Sequence, residues 1–216
     1  MAAGRTVRRL LGAVLLALAA GATACSSGEG PAPAPVPEPA PAPRPSEGGT
    51  MPAAERRETV ILAGGCFWGM EELLRAIPGV LETEVGYSGG TVPDATYEIV
   101  KKGKSGHAEA VRVVFDPARL PFEDLLGWFF RMHDPTTLDR QGNDVGTQYR
   151  SAIFCTNGGQ RAAAERVKAA VDRSGKWRKP IVTRIEEAGP WYPAEEYHQD
   201  YLRKNPGGYT CHWIRD

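Results

Sequence analysis

The chain has 216 residues, a formal net charge of +0 and four cysteines. The balanced charge offers no basic face for a phosphate backbone, so no nucleic-acid partner is expected and small molecules and proteins remain. Four well-separated cysteines without a C-x-x-C pair read neither as a disulfide staple nor as a thioredoxin-type dithiol.

Residues 1–24 read as an export signal. Arg5, Arg8 and Arg9 form a basic start, and Leu10 to Ala20 form an apolar run too short to span a bilayer. Ala22-Thr23-Ala24 supply a small-residue cleavage site. Cys25 follows at once, and this junction resembles the lipobox of bacterial lipoproteins, although Ala22 stands where Leu is usual. Lipidation of Cys25, and with it an exported, membrane-anchored protein, is expected over a soluble secreted one. Plain cleavage after Ala24 is the alternative. Residues 25–58 make a linker in which Pro and Ala alternate from Pro31 to Pro45. Such a sequence cannot bury a core and favours extended polyproline geometry, with a reach of up to about 100 Å.

Residues 59–216 alternate strand and helix signals, which predicts one α/β (α+β) domain. Val60-Ile61-Leu62 suits a buried strand, and Gly64-Gly65 permits a tight turn. Phe67, Met70, Leu73, Leu74 and Ile77 then recur at helical spacing until Pro78-Gly79. Cys66 is thus expected on the first turn of a helix, where free N–H groups and the helix dipole favour the thiolate. Strands are expected over 79–87 and 107–115, with a short helix over 96–102 between them. A helix follows over 121–133, carrying the apolar stripe Phe122, Leu125, Leu126, Phe129 and Phe130. A polar loop fills 134–147. A strand over 149–155, a helix over 160–173, a strand over 180–185 and a last helix over 194–204 complete the series. Asn205-Pro206-Gly207-Gly208 releases a mobile coil tail that carries Cys211.

Several residues carry chemical promise. Alternation on the strand His107–Phe115 places Glu109 on one face with Val111, Val113 and Phe115. A carboxyl among such neighbours loses hydration, its pKa rises, and it can donate a proton at neutral pH. Tyr97 and Tyr149 offer hydroxyls, and the loop 139–150, with Asp144, is dense in hydrogen-bonding groups. Cys155 ends an apolar strand and reads as a core thiol. Cys211 reads as a thiol able to meet a second one and form a transient disulfide. Cys66 with His107 would suit an exported cysteine hydrolase, and an anchored binding module with Cys66 in its core is a third reading. No regular metal-ligand spacing is present.

Taken together, these motifs resemble peptide methionine sulfoxide reductase A. The resemblance rests on Gly65-Cys66-Phe67-Trp68-Gly69, on Gly106-His107-Ala108-Glu109-Ala110-Val111, on Gly142-Asn143-Asp144-Val145-Gly146-Thr147-Gln148-Tyr149-Arg150-Ser151 and on Tyr192-Pro193-Ala194-Glu195-Glu196-Tyr197-His198-Gln199-Asp200-Tyr201, in that order. It implies a mixed-sheet α/β roll with a ferredoxin-like core and activity on the S epimer of methionine sulfoxide, free or in oxidised proteins. It implies Cys66 as nucleophile, Glu109 as acid, Tyr97 and Tyr149 as holders of the sulfoxide oxygen, and Asp144 as organiser of the polar side. Phe67 and Trp68 would bind the substrate methyl group. A Cys66 sulfenic acid would condense with Cys211, and the disulfide would need thioredoxin or a thioredoxin-like reductant. No cofactor and no metal is implied, and a monomer is expected.

Overall fold

The computed structural model describes residues 56–216. The export signal, Cys25 and nearly all of the linker lie outside the described residues.

The first strand, β1 (Glu58–Gly64), is built from Val60, Ile61, Leu62 and Ala63, all buried, so its two faces are both covered. Helix α1 (Phe67–Arg75) follows, then β2 (Val80–Ser88), the single turn α2 (Tyr97–Val100) and β3 (Ala108–Phe115). Helix α3 (Phe122–Met132) buries the predicted stripe, Phe122, Leu125, Leu126, Phe129 and Phe130. The region expected as plain loop holds a small hairpin, β4 (Arg140–Gln141) with β5 (Asp144–Val145), and then a 3-10 turn over Thr147–Tyr149. Strand β6 (Ser151–Cys155), helix α4 (Gly158–Arg173), strands β7 (Arg184–Glu187) and β8 (Tyr192–Pro193) and the short helix α5 (Tyr201–Lys204) complete the chain.

The main sheet has the order β7-β6-β1-β3-β2-β8. Its inner four strands, β6-β1-β3-β2, are all antiparallel, and α1 and α3 are interleaved with them in sequence. That is the split βαβ pattern of a ferredoxin-like core. Strand β7 joins β6 in parallel, which requires the crossover helix α4, and β8 extends the other edge beside Gly86 and Tyr87. One face of the sheet carries the large core, with Val60, Leu62, Val85, Val111, Val113 and Phe115 under Phe67, Met70, Leu74, Leu126 and Phe129. The other face is smaller and lined by Ile61, Ala63, Ala108, Ala110, Ala152 and Phe154. Burying side chains of this size contributes roughly 1.5–3 kcal/mol each against exposure.

Three boundaries differ from expectation, each for a local reason. The strand expected over 180–185 begins only at Arg184, because Ile181 and Val182 spend their N–H groups on Asp172 and on the carbonyl of Pro135. The helix expected over 194–204 shrinks to Tyr201–Lys204. His198 and Gln199 make i→i−3 turn bonds, and Asp200 sits at φ 53, a left-handed conformation that no α-helix passes through. Tyr149, expected at a strand start, closes the 3-10 turn instead.

Candidate active site

The site is assembled around the turn between β1 and α1. Gly65 has φ +110, and a Cβ there would come within 2.5 Å of Gln141 Cγ, so glycine is required by both backbone and space. Cys66 then occupies the N-cap of α1, one residue before the first turn where it was expected, and its side chain makes no capping bond. The Phe67 N–H donates to Glu109 Oε2 at 3.2 Å. One free amide of the helix start therefore holds the carboxyl of β3 beside the thiol.

Glu109 is 3 % exposed. Burial pushes its carboxyl up to about 8, the Phe67 N–H offsets part of that rise, and the Asp144 carboxylate adds to it. At neutral pH Glu109 thus keeps its proton. The environment of Cys66 is the opposite of what the helix dipole suggested. The thiol is 6 % exposed, and burial, followed by the nearby Glu109, pushes it well above its ordinary value. The Trp68 N–H pulls the other way, as expected of a helix start, but burial outweighs it. Cys66 therefore rests as a thiol, and the expected thiolate is not its ground state.

A cleft of about 190 Å³ opens over the sulfur, lined by Cys66, Phe67, Trp68, Tyr97, Glu109, Asp144, Tyr149 and Tyr209. Larger hollows elsewhere on the domain contain no cysteine. Tyr97 opens α2, and its backbone N–H is tied to Glu195 Oε1 at 2.9 Å. Burial, then the proximity of Glu109, raises the Tyr97 and Tyr149 phenols, so both hydroxyls stay protonated and able to donate. Phe67 is packed into the core at its far side, with its ring 5.8 Å from Tyr87 and 5.1 Å from His198. Trp68 stacks on Tyr201 at 3.7 Å and donates its indole N–H to His198 Nδ1 at 3.0 Å. Both aromatic walls are therefore fixed from behind and leave one edge to the cleft.

The chain end approaches from the other side. Cys211 donates to Asp144 Oδ2 at 3.4 Å, and Tyr209 donates its hydroxyl to Asp144 Oδ1 at 3.0 Å. The backbone N–H of Cys66 faces the Cys211 sulfur and favours its ionised form, although burial and Asp144 together push that thiol up to about 11. The tail was expected to be mobile. In the structure it is fastened at several points. His212 Nε2 lies 2.8 Å from the Gly64 carbonyl, the Arg215 N–H donates to the Arg131 carbonyl, and Arg131 Nε donates to the Arg215 carbonyl. Glycines make the berth. A Cβ on Gly69 would strike Thr210 Oγ1 and come within 2.6 Å of His212 Nδ1, and one on Gly142 would press on Cys211 Cβ at 3.1 Å.

Two side chains stand apart from this cluster. His107 accepts the Gly90 N–H at Nδ1 and reaches the Val92 carbonyl with Nε2. Both ring nitrogens are spent on backbone, which leaves no base for a Cys66–His107 hydrolase. Cys155 is 2 % exposed in the core beneath α4. The sequence reading gave Tyr209 and His212 no role at the cleft. The only signal for either was nearness to Cys211, which says nothing of direction. Among the described residues no group of three or more His, Cys, Asp or Glu side chains is placed to hold a metal ion.

The comparisons with known proteins point to one family. The family profile described as peptide methionine sulfoxide reductase matches residues 58–215. A peptide methionine sulfoxide reductase of Pseudomonas fluorescens is 56 % identical over 158 residues, 73 % of this chain and 74 % of that protein. One from Leifsonia xyli is 54 % identical over 158 residues, 73 % of this chain and 91 % of its own length. Among solved structures, reduced Mxr1 of Saccharomyces cerevisiae superposes with a TM-score of 0.71 at 37 % identity, over 76 % of this chain and 95 % of that one. Methionine sulfoxide reductase A of Corynebacterium diphtheriae gives 0.62 at 40 %, over 71 % and 77 %. With a profile spanning its whole folded domain and relatives above half identity, this chain belongs to the peptide methionine sulfoxide reductase A family, oxidoreductases that return methionine sulfoxide to methionine.

Proposed function

We propose that the domain reduces the S epimer of methionine sulfoxide, free and in oxidised proteins, through Cys66, Glu109 and Cys211. The observation that carries this reading is the protonated Glu109 held beside the Cys66 thiol in one cleft with two tyrosine hydroxyls. A sulfoxide oxygen is a poor leaving group until it is protonated. Glu109 supplies that proton, and Tyr97 and Tyr149 hold the oxygen by hydrogen bonds. The edges of Phe67 and Trp68 receive the methyl group. As the Cys66 sulfur attacks, its proton passes to the oxygen of Glu109 that has just given one up. The oxygen moves from substrate sulfur to Cys66 sulfur. The substrate gains two electrons and leaves as sulfide, and Cys66 loses the same two and becomes a sulfenic acid.

Cys211 then condenses with the sulfenic acid, forming a Cys66–Cys211 disulfide and water. Two electrons from thioredoxin or a thioredoxin-like dithiol restore both thiols by exchange. Asp144 keeps Cys211 and Tyr209 in register for this step. For the full chain we propose export, with a lipid on Cys25 and residues 25–58 as a tether, so that the reductant is a thioredoxin-like domain on the outer side of the membrane. Oxidised proteins there are the substrates, and the domain acts as a monomer.

The test is a turnover assay on the separate sulfoxide epimers with Cys211→Ser. The expected result is one equivalent of sulfide per enzyme from the S epimer, none from the R epimer, and no cycling with thioredoxin. Undiminished steady-state turnover in Cys211→Ser would overturn Cys211 as resolver. Mass spectrometry of the mature N-terminus decides the anchor, since a free unacylated end removes it.

A further inference from the structure

His212 lies next to Cys211 but does not line the substrate cleft. Its ring is 7 % exposed and wedged against the turn that carries Cys66. Added Cβ atoms at Gly65 and Gly69 would come within 3.1 Å of Nε2 and 2.6 Å of Nδ1, so both faces of the berth are shaped to this imidazole. Nε2 is 2.8 Å from the Gly64 carbonyl oxygen. A carbonyl only accepts, so Nε2 bears the hydrogen. The lone pair of the neutral ring is then at Nδ1, and Nδ1 is 3.6 Å from Cys211 Sγ.

We propose that His212 is a catalytic residue of the resolving half-reaction: its Nδ1 takes the Cys211 thiol proton as that sulfur attacks the Cys66 sulfenic acid. The inference rests on the roles given above to Cys66 and Cys211. The step balances. The Cys211 S–H bond breaks and its electron pair forms the S–S bond, while the Cys66 S–O bond breaks and the oxygen leaves as water with the Glu109 proton. The proton held on Nδ1 and the one lost by Glu109 are exchanged through solvent. The net change is thiol plus sulfenic acid giving disulfide plus water, with no outside oxidant.

Two features make the imidazole useful here. The Cys211 thiol is half-buried and faces a carboxylate, so it resists ionising unaided. Burial, with the Arg215 charge behind it, also keeps His212 neutral down to about pH 4, so the lone pair is always present. Asp144 accepts from the same thiol, but its negative charge opposes the thiolate it would create. A neutral acceptor places no negative charge beside the forming thiolate, although burial and Arg215 make its own cation costly, so the proton passes on at once.

The experiment compares His212→Gln with His212→Asn in rapid-quench single turnover on free methionine S-sulfoxide, following sulfide release and loss of thiols as separate phases. Glutamine keeps a donor for the Gly64 carbonyl and loses the acceptor at Nδ1. Asparagine keeps an acceptor there and gives up the Gly64 bond. The expected result is a disulfide-forming phase slowed about 100-fold in His212→Gln, recovered in part by His212→Asn, with the slowing confined to that phase. A wild-type disulfide phase in His212→Gln, or equal slowing in both variants, overturns the proposal. Loss of sulfide release in both would make the ring a structural prop and overturn it too. If the wild-type protein itself releases sulfide without losing two thiols, the fault lies with Cys211 as resolver and not with His212.

Discussion

The two sides of the cleft are built by different means. Cys66 and Glu109 stand at the ends of strands in the middle of the sheet, joined by backbone ladders and the Phe67 N–H. Tyr209, Cys211 and His212 stand on a segment with neither helix nor strand, held by scattered bonds to Asp144, Gly64 and Arg131. The first arrangement fixes distances. The second can be exchanged one bond at a time. Chemistry on a sulfoxide needs the acid and the thiol in one constant geometry, whereas forming and reducing a disulfide needs a partner that can approach and withdraw.

If that division is right, changes on the sheet side should damage sulfide release, and changes on the tail side should damage disulfide formation. The largest effect is expected for Cys66→Ser, which should abolish sulfide release altogether, as read by chromatography of free methionine. Next is Glu109→Gln, which should slow sulfide release by about 10²–10⁴-fold. Its pH profile carries the sharper information. The carboxyl is raised to about 8, so the active acid form is present below that pH and lost above it. Wild-type single-turnover rates should fall as pH rises through about 8, and this limb should vanish in Glu109→Gln. A limb that persists would assign it to another group.

Gly69→Ala moves the comparison to the tail. The added methyl meets Thr210 and His212 and should lift the chain end at a cost of about 1–3 kcal/mol. Rapid quench should show sulfide release close to wild type and disulfide formation slowed about tenfold or more. Equal damage to both phases would break the division. The smallest effect is expected for Tyr209→Phe. It removes one hydrogen bond to Asp144 from a ring that is 43 % exposed. A loss of about 0.5–1.5 kcal/mol corresponds to roughly two- to tenfold in disulfide formation, measurable by thiol titration.

The same division explains what the sequence disclosed. The sheet side was legible because periodicity reports it. The strand ending at Gly64-Gly65, the helix from Phe67 and the apolar face around Glu109 all follow from spacing, and so did the raised carboxyl. The state of the Cys66 thiol was not legible, because a dipole argument sees one helix and burial is the work of the whole fold. Asp200 at φ 53 cut short a helix that composition favoured, since a left-handed aspartate leaves no trace in a hydrophobic pattern. Tyr209 and His212 were missed for a related reason. Their roles come from where an irregular segment lies, and that is fixed by glycines distant in sequence, Gly65, Gly69 and Gly142.

Cys155 gives the domain a built-in standard for counting electrons. It sits in the core at the end of β6, away from the cleft, and among the described residues it has no disulfide partner. With Cys66 and Cys211 as the exchangeable pair, the reduced domain stores two electrons and gives them up in one turnover. In denaturant, the three thiols of the folded domain should fall to one after a complete turnover, and the one that remains should be Cys155. The stoichiometry of repair can thus be read from the protein alone, with an interior sulfur as its reference.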